Sequence, residues 1–253
     1  MKINVLGASG GLGAACDTTA IRLGHATLLD AGTGLTRLSV DDIFAIERVF
    51  ISHAHLDHVA GLPLLVDALF ERLSNSDSTL SVYALPEVIK TLQRHLFNQQ
   101  LWPDFGALPS VQRPVMHFVP LAPGQAVRFD DGEPLAVTAF PVSHRVAACG
   151  FRVESADMRF VFSGDTTLDP SLVESFEACG AIDILMQECA FPDRHRALAK
   201  QAGHMTPELV SQLLAALSQR PAQLWISHLK PIYRREVMAE LESALRGYHW
   251  QCL

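Results

Sequence analysis

The chain has 253 residues, 49% hydrophobic and 19% charged, enough to fill the core of one large domain. Its net charge of −7 comes without any block of Lys or Arg, which argues against long nucleic acid as a partner, because such partners are gripped by concentrated positive charge. No stretch approaches the roughly twenty consecutive apolar residues of a membrane span, and the five cysteines (Cys16, Cys149, Cys179, Cys189, Cys252) form no CxxC pair and read as reduced residues of a cytoplasmic protein.

Met1-Lys2-Ile3-Asn4-Val5 enters a strand directly, without signal-peptide architecture. Apolar or β-branched runs predict strands over Lys2–Leu6, Thr18–Leu23 and Ala26–Asp30. Between the first two lies Gly7-Ala-Ser-Gly10-Gly11-Leu-Gly13, which satisfies GxxGxxG. A dinucleotide-binding turn of that kind opens an amphipathic helix, whereas Cys16-Asp-Thr-Thr-Ala-Ile-Arg leans to β structure, so a tight or mobile loop near a site rim is expected instead. Arg48–Ile51 reads as a buried strand. Further strands are expected at Leu80–Ala84, His117–Pro120, Ala126–Phe129, Leu135–Phe140, Gly150–Val153 and Arg159–Ser163. Helices are expected at Leu62–Leu73, Pro86–Asn98, Ser171–Cys179, Pro207–Gln219 and Arg235–Arg246. The segment 99–114, with Trp102, Pro103, Phe105, Gly106 and Pro109, has no periodicity and reads as a long loop of the kind that covers a site. No repeat or linker divides the chain, so 1–253 reads as a single domain. Two clusters of strands flanked by helices are what two sheets packed face to face, with helices outside, produce.

His53-Ala-His55-Leu-Asp57-His58 packs four metal-binding side chains into six residues on the turn leaving the strand Arg48–Ile51. His53 and His55 alternate onto one side of an extended backbone, and Asp57 and His58 lie beyond the bend, where they can face a second ion. Imidazole nitrogen with carboxylate oxygen suits zinc, manganese or iron, while calcium and magnesium sites are mostly oxygen. His144, Asp165 and His228 each follow an apolar, strand-like run and so can project from the same sheet edge. The count fits two ions: three His plus a shared Asp for one, and Asp, His, His plus the same Asp for the other.

With this set, the chain resembles the metallo-β-lactamase fold superfamily of metal-dependent hydrolases over essentially its whole length. The resemblance implies an αββα sandwich, an α/β fold in four layers, with a dinuclear site at one edge. It implies His53, His55 and His144 on one metal, Asp57, His58 and His228 on the other, and Asp165 bridging, with Asp57 also catalytic. Asp30, in Leu28-Leu-Asp30-Ala-Gly32, matches a structural aspartate beneath the site. The implied cofactors are two divalent metal ions, zinc first, with manganese or iron as alternatives.

Two further stretches narrow the branch. Gln187-Glu188-Cys189 ends an apolar run, and Gly203-His204-Met205-Thr206-Pro207 opens a helix. Both resemble motifs of the class II cyclic-nucleotide phosphodiesterases and the ribonuclease Z group, in which a glutamate orients a histidine that acts on the scissile phosphate or the leaving oxygen. An imidazole held by a carboxylate is a tuned general acid. Thr206 is also expected to cap the helix ahead of Pro207. Twenty residues separate His144 from Asp165, too few for the tRNA-gripping arm of many ribonuclease Z enzymes. The sequence therefore favours a small phosphodiester substrate, a cyclic nucleotide, with no long nucleic acid and no membrane partner; a homodimer is admissible. Ribonuclease Z-like cleavage, a glyoxalase II-type thioesterase and a non-catalytic ligand-sensing module are the alternatives. Trp102 and Phe105 are candidates to stack on a base or to pack in the core, and Arg145 is a candidate phosphate contact or a solvated cation.

Overall fold

A computed structural model describes residues 1–130 and 132–253, which divide into two units: Met1–Gly7 with Asp17–Ala122, and Ala8–Cys16 with Pro123–Leu253. In the first unit lie β1 (Ile3–Gly7), β2 (Ala20–Leu23), β3 (Thr27–Leu29), β4 (Arg48–Phe50), β5 (Leu80–Ala84), the short hairpin β6 (Pro109–Ser110) and β7 (Arg113–Pro114), and β8 (Met116–Pro120). All but the hairpin join one sheet in the order β1-β2-β3-β4-β5-β8. The first three strands are antiparallel, and β3, β4, β5 and β8 run parallel, with Leu29 opposite Phe50 and Phe50 opposite Tyr83. β2 and β3 are buried throughout, which is why they show no apolar–polar alternation; Arg22, buried within β2, is paired with Asp42.

Helices α1 (Val40–Ala45), α2 (Leu56–Val59), α3 (Leu62–Ser74) and α4 (Pro86–His95) belong to the same unit. In α3, Leu62, Leu65, Val66, Leu69 and Leu73 recur at helical spacing, and all are buried in one cluster with Val49, Ile51 and Val82 of the sheet. Leu69 is fully buried there, so Leu69→Ala is expected to cost about 2–5 kcal/mol of stability, read by denaturant unfolding of the metal-free protein.

The second unit carries β9 (Ala126–Asp130), β10 (Pro134–Pro141), β11 (Cys149–Glu154), β12 (Arg159–Phe162), β13 (Ile184–Glu188), β14 (Gln223–Ser227) and β15 (Trp250–Cys252), in the sheet order β15-β14-β13-β12-β11-β10-β9. β9 to β12 form an antiparallel meander; β12 to β15 are parallel, with Phe162 opposite Met186 and Glu188 opposite Ser227. Helices α5 (Pro170–Glu177), α7 (Pro207–Ala216) and α8 (Arg234–Ala244) supply Leu172, Phe176, Leu209, Leu213, Val237 and Leu241 to a core shared with Val161, Leu185 and Ile226, while α6 (Arg196–Ala202) buries Ala199 in a separate small cluster with Ala190 and Phe191. In both units the C-terminal ends of adjacent parallel strands fall side by side, the position at which open α/β sheets build their sites.

Departures from the sequence reading have local causes. The strand expected from Thr18 begins at Ala20, because Thr18 and Thr33 exchange backbone-to-hydroxyl bonds of 2.9 and 2.8 Å in place of ladder pairing. The segment 99–114 contains the β6–β7 hairpin, and Phe105 is only 3% exposed, with its ring 5.7 Å from Phe70 and 6.3 Å from Phe97. Trp102 packs partly buried against the same cluster. These aromatics are core side chains, and Phe105 has no face left for a base. No helix among the described residues is long and apolar enough to cross a membrane.

Candidate functional site

In the first unit the site grows from the ends of β3 and β4. Asp30 follows β3 with a positive φ of 55°, a conformation an aspartate adopts more readily than most residues. It is fully buried, so its carboxylate needs complete satisfaction. Oδ1 accepts the Ser52 N–H at 2.7 Å, and Oδ2 accepts the Ser52 hydroxyl at 2.8 Å and the His58 Nδ1 at 2.7 Å. Ser52 has spent its one hydroxyl proton on that carboxylate, so it accepts from His53 Nδ1 at 3.0 Å. Both imidazoles are thereby fixed in the tautomer that leaves a lone pair on Nε2.

Those lone pairs face a second ring nitrogen and a carboxylate. His53 Nε2 lies 3.0 Å from His55 Nδ1, and His58 Nε2 lies 3.8 Å from a carboxylate oxygen of Asp57. Ring nitrogens and a carboxylate oxygen converging in this way are held together by a shared proton or by a cation, and a divalent ion can take the proton's place. The site thus fits a nitrogen- and oxygen-binding divalent metal on its own chemistry. His55 caps α2 and accepts the His58 N–H at 3.0 Å; the His58 carbonyl accepts from Ala31 at 2.7 Å, tying the ligand helix to the Asp30 segment. Asp30→Asn removes the charge that holds His58 and Ser52. It is expected to weaken metal binding by ~10–100-fold, measured by competition with a chromophoric chelator, and, because an amide nitrogen cannot accept from buried donors, to cost the metal-free protein about 1–3 kcal/mol in denaturant unfolding.

In the second unit, His144, Asp165 and His228 follow β10, β12 and β14, and Glu188 ends β13. His144 donates from Nδ1 to the Gly203 carbonyl at 2.8 Å, again freeing Nε2. Gly203 ends α6 at φ 80°, and a β-carbon there would stand 2.7 Å from His144 Nδ1, so both its conformation and its neighbour require glycine. Asp165 is buried, and its carboxylate lies within 4.8 Å of a ring nitrogen of His144 and within the same distance of one of His228. Its contact with His228 Nε2 is 3.3 Å. One carboxylate facing two histidines is the arrangement a bridging ligand needs.

Glu188, the last residue of β13, is 1% exposed, and its Oε1 accepts three bonds: Thr166 N–H at 3.2 Å, Met205 N–H at 3.1 Å and His204 Nδ1 at 3.0 Å. Burial pushes the Glu188 carboxyl above its usual range. Burial alone would lower the His204 imidazole, but the adjacent Glu188 carboxylate outweighs it and holds His204 above the ordinary histidine value. His204 also lies against both histidine ligand candidates of its unit, with its ring centroid 5.2 Å from that of His144 and 5.3 Å from that of His228.

Each unit therefore gathers its own share of the expected residues: His53, His55, Asp57 and His58 in the first, and His144, Asp165, Glu188, His204 and His228 in the second. Sequence reasoning missed Ser52 and the Gly203 carbonyl, which set two of the imidazole tautomers. The adjacency of Ser52 to His53 was the only available signal. The expected Thr206 cap is absent: its hydroxyl makes no cap bond, and Asp193 accepts the Glu208 N–H of the first turn of α7 at 2.9 Å instead. Arg145 is exposed beside His144.

Comparison with known proteins bears on this geometry. A model of the β-lactamase superfamily domain matches residues 25–229. The chain is 27% identical, over an alignment of 271 residues, to a ribonuclease Z of Bradyrhizobium sp. (strain ORS 278), covering 87% of this chain and 85% of that one. It is also 27% identical, over 257 residues, to a Yersinia pestis protein named probable 3′,5′-cyclic-nucleotide phosphodiesterase, covering 88% and 71%. Among solved structures, the metallo-β-lactamase fold protein YhfI from Bacillus subtilis superposes with a TM-score of 0.76 at 18% identity, over 99% of this chain and 95% of that one, a likeness that speaks for the fold.

Proposed function

The chain belongs to the β-lactamase superfamily, and from that membership we propose that it is a metal-dependent phosphodiesterase holding two divalent ions and acting on 3′,5′-cyclic nucleotides. The observation that carries this reading is the buried Glu188–His204 pair, an imidazole whose Nδ1 is fixed by a carboxylate at 3.0 Å and whose basicity is raised by it. A thioester or β-lactam hydrolase has no evident use for such a pair, whereas a phosphodiester with a poor alkoxide leaving group needs a positioned proton.

On this reading His53, His55 and His144 hold one ion, Asp57, His58 and His228 hold the other, and Asp165 bridges. Zinc suits the donor set, with manganese or iron as substitutes. Bound there, divalent ions supply water acidified to near-neutral pKa and positive charge for the phosphate oxygens. The protein groups do the rest. Asp30, Ser52 and the Gly203 carbonyl keep the imidazole lone pairs aimed inward. Asp57, the ligand with a partly exposed carboxylate, also orients the attacking water. His204, tied at Nδ1, presents Nε2 to the departing oxygen, and Glu188 steadies the imidazolium.

The small-substrate branch is favoured by the charge of −7 and by the β11–β12 hairpin, which closes the interval from His144 to Asp165 without an added arm. The five cysteines are free thiols, in keeping with a reducing cytoplasm. The Bradyrhizobium relative favours a second reading, ribonuclease Z-like cleavage of a tRNA precursor. Assaying the metal-loaded protein against 3′,5′-cyclic AMP and a tRNA precursor with a 3′ trailer separates the two. Turnover of the cyclic nucleotide with an uncut precursor supports the proposal; trailer removal with an inert cyclic nucleotide overturns it in favour of the second reading.

A further inference from the structure

The glycine run Gly7–Gly13 is absorbed by none of the chemistry above, yet part of it lies against a proposed metal ligand. Ser9 forms a parallel bridge with Leu229, the Gly10 N–H donates to the Leu229 carbonyl at 3.1 Å, and the His228 N–H donates to the Ala8 carbonyl at 2.6 Å. Lys230, whose ammonium lies 5.3 Å from the Phe191 ring centroid, donates to the Gly10 carbonyl at 3.3 Å. The segment thus runs alongside 228–230, joined to it by an isolated parallel bridge. His228 needs such support, because its φ of 62° is one that a histidine adopts only when its surroundings enforce it. Gly10 approaches so closely that an added β-carbon would collide with the His228 carbonyl oxygen and stand 2.9 Å from ring atom Cδ2.

We propose that Ala8–Gly11 is a positioning element for His228, with Gly10 the residue whose bare backbone sets the direction of the imidazole. The inference rests on the metal assignment above. It gives the glycine run a use other than cradling a phosphate: its backbone amide and carbonyls are engaged with 228–230, and glycine is required for close approach. The element acts through His228 alone, so disturbing it should weaken one ion and spare the other.

The test loads wild type, Gly10→Ala and Gly13→Ala with zinc, counts ions per chain, titrates each against a competing chelator, and records the thermal midpoint of each metal-free protein. Gly13 is the control, since its β-carbon would meet Cys16 Sγ at 3.1 Å and Pro231 Cβ at 3.2 Å without touching His228. Expected are two ions in wild type and Gly13→Ala. In Gly10→Ala, one ion stays tight and the other weakens by ~10–100-fold, as when outer-shell support is lost. Lys230→Met, which removes only a side-chain bond to the segment, should weaken the same ion by less and guards against a folding defect in Gly10→Ala. Equal weakening of both ions with a lowered metal-free midpoint, or wild-type affinity in both variants, overturns the positioning role while leaving the metal assignment standing. Fewer than two ions in wild type overturns the assignment and the inference together.

Discussion

His204→Ala is expected to slow hydrolysis of a phosphodiester with an alkoxide leaving group by ~10²–10⁴-fold while both ions remain bound. On the proposed mechanism His204 hands a proton to the departing oxygen, and the Glu188 carboxylate, 3.0 Å from Nδ1, fixes the ring and favours its protonated form. A p-nitrophenolate leaves with little need of a proton, so with that leaving group the same variant should lose far less. Glu188→Gln should repeat the pattern more weakly, since it acts only through His204 and through the Thr166 and Met205 amides that it orders. Paired kinetics on the two leaving groups, with metal content measured in parallel, check this. An equal loss on both substrates with metals retained would move His204 to phosphate positioning. Loss of an ion would make it a ligand.

Asp165→Ala is expected to have the broader effect. Its carboxylate is the group in the second unit that faces both His144 and His228, and it is buried, so no water-exposed side chain stands ready to replace it. At least one ion should be lost at metal concentrations that saturate wild type. Metals contribute several kcal/mol of charge stabilisation, and each ~1.4 kcal/mol is tenfold in rate, so turnover should fall by about 10²-fold or more. Elemental analysis alongside kinetics reads both effects. Two ions retained in the variant would remove Asp165 from the bridging position.

The sequence made some parts of this site plain and hid others for physical reasons. His53, His55, Asp57 and His58 were readable because a turn and a four-residue helix place all four within six positions. His144, Asp165 and His228 were readable only as residues just beyond apolar runs. Those runs are β10, β12 and β14, and the last two are parallel strands whose ends converge at one edge. The carbonyl of Gly203 left no trace, because a backbone acceptor has no residue type. Ser52 left almost none, since serine before a histidine is unremarkable until Asp30 is seen to take its proton. The Thr206 cap was a sound local inference from Thr-Pro. It failed because Asp193, distant in sequence, supplied the acceptor. Helix α6 was missed because Arg-Ala-Leu-Ala-Lys-Gln-Ala buries only Ala199 and so carries no amphipathic period. For Phe105 the sequence left open base stacking or core packing, and its ring lies in the core.

Metal-dependent phosphodiester cleavage is read from turnover of the zinc- or manganese-loaded protein on bis(p-nitrophenyl) phosphate and p-nitrophenyl phosphate, with a thioester and a β-lactam alongside. The diester should be hydrolysed much faster than the monoester, and neither acyl substrate should be turned over efficiently. Efficient turnover of the thioester or the β-lactam with an inert diester would contradict phosphodiester cleavage as the activity.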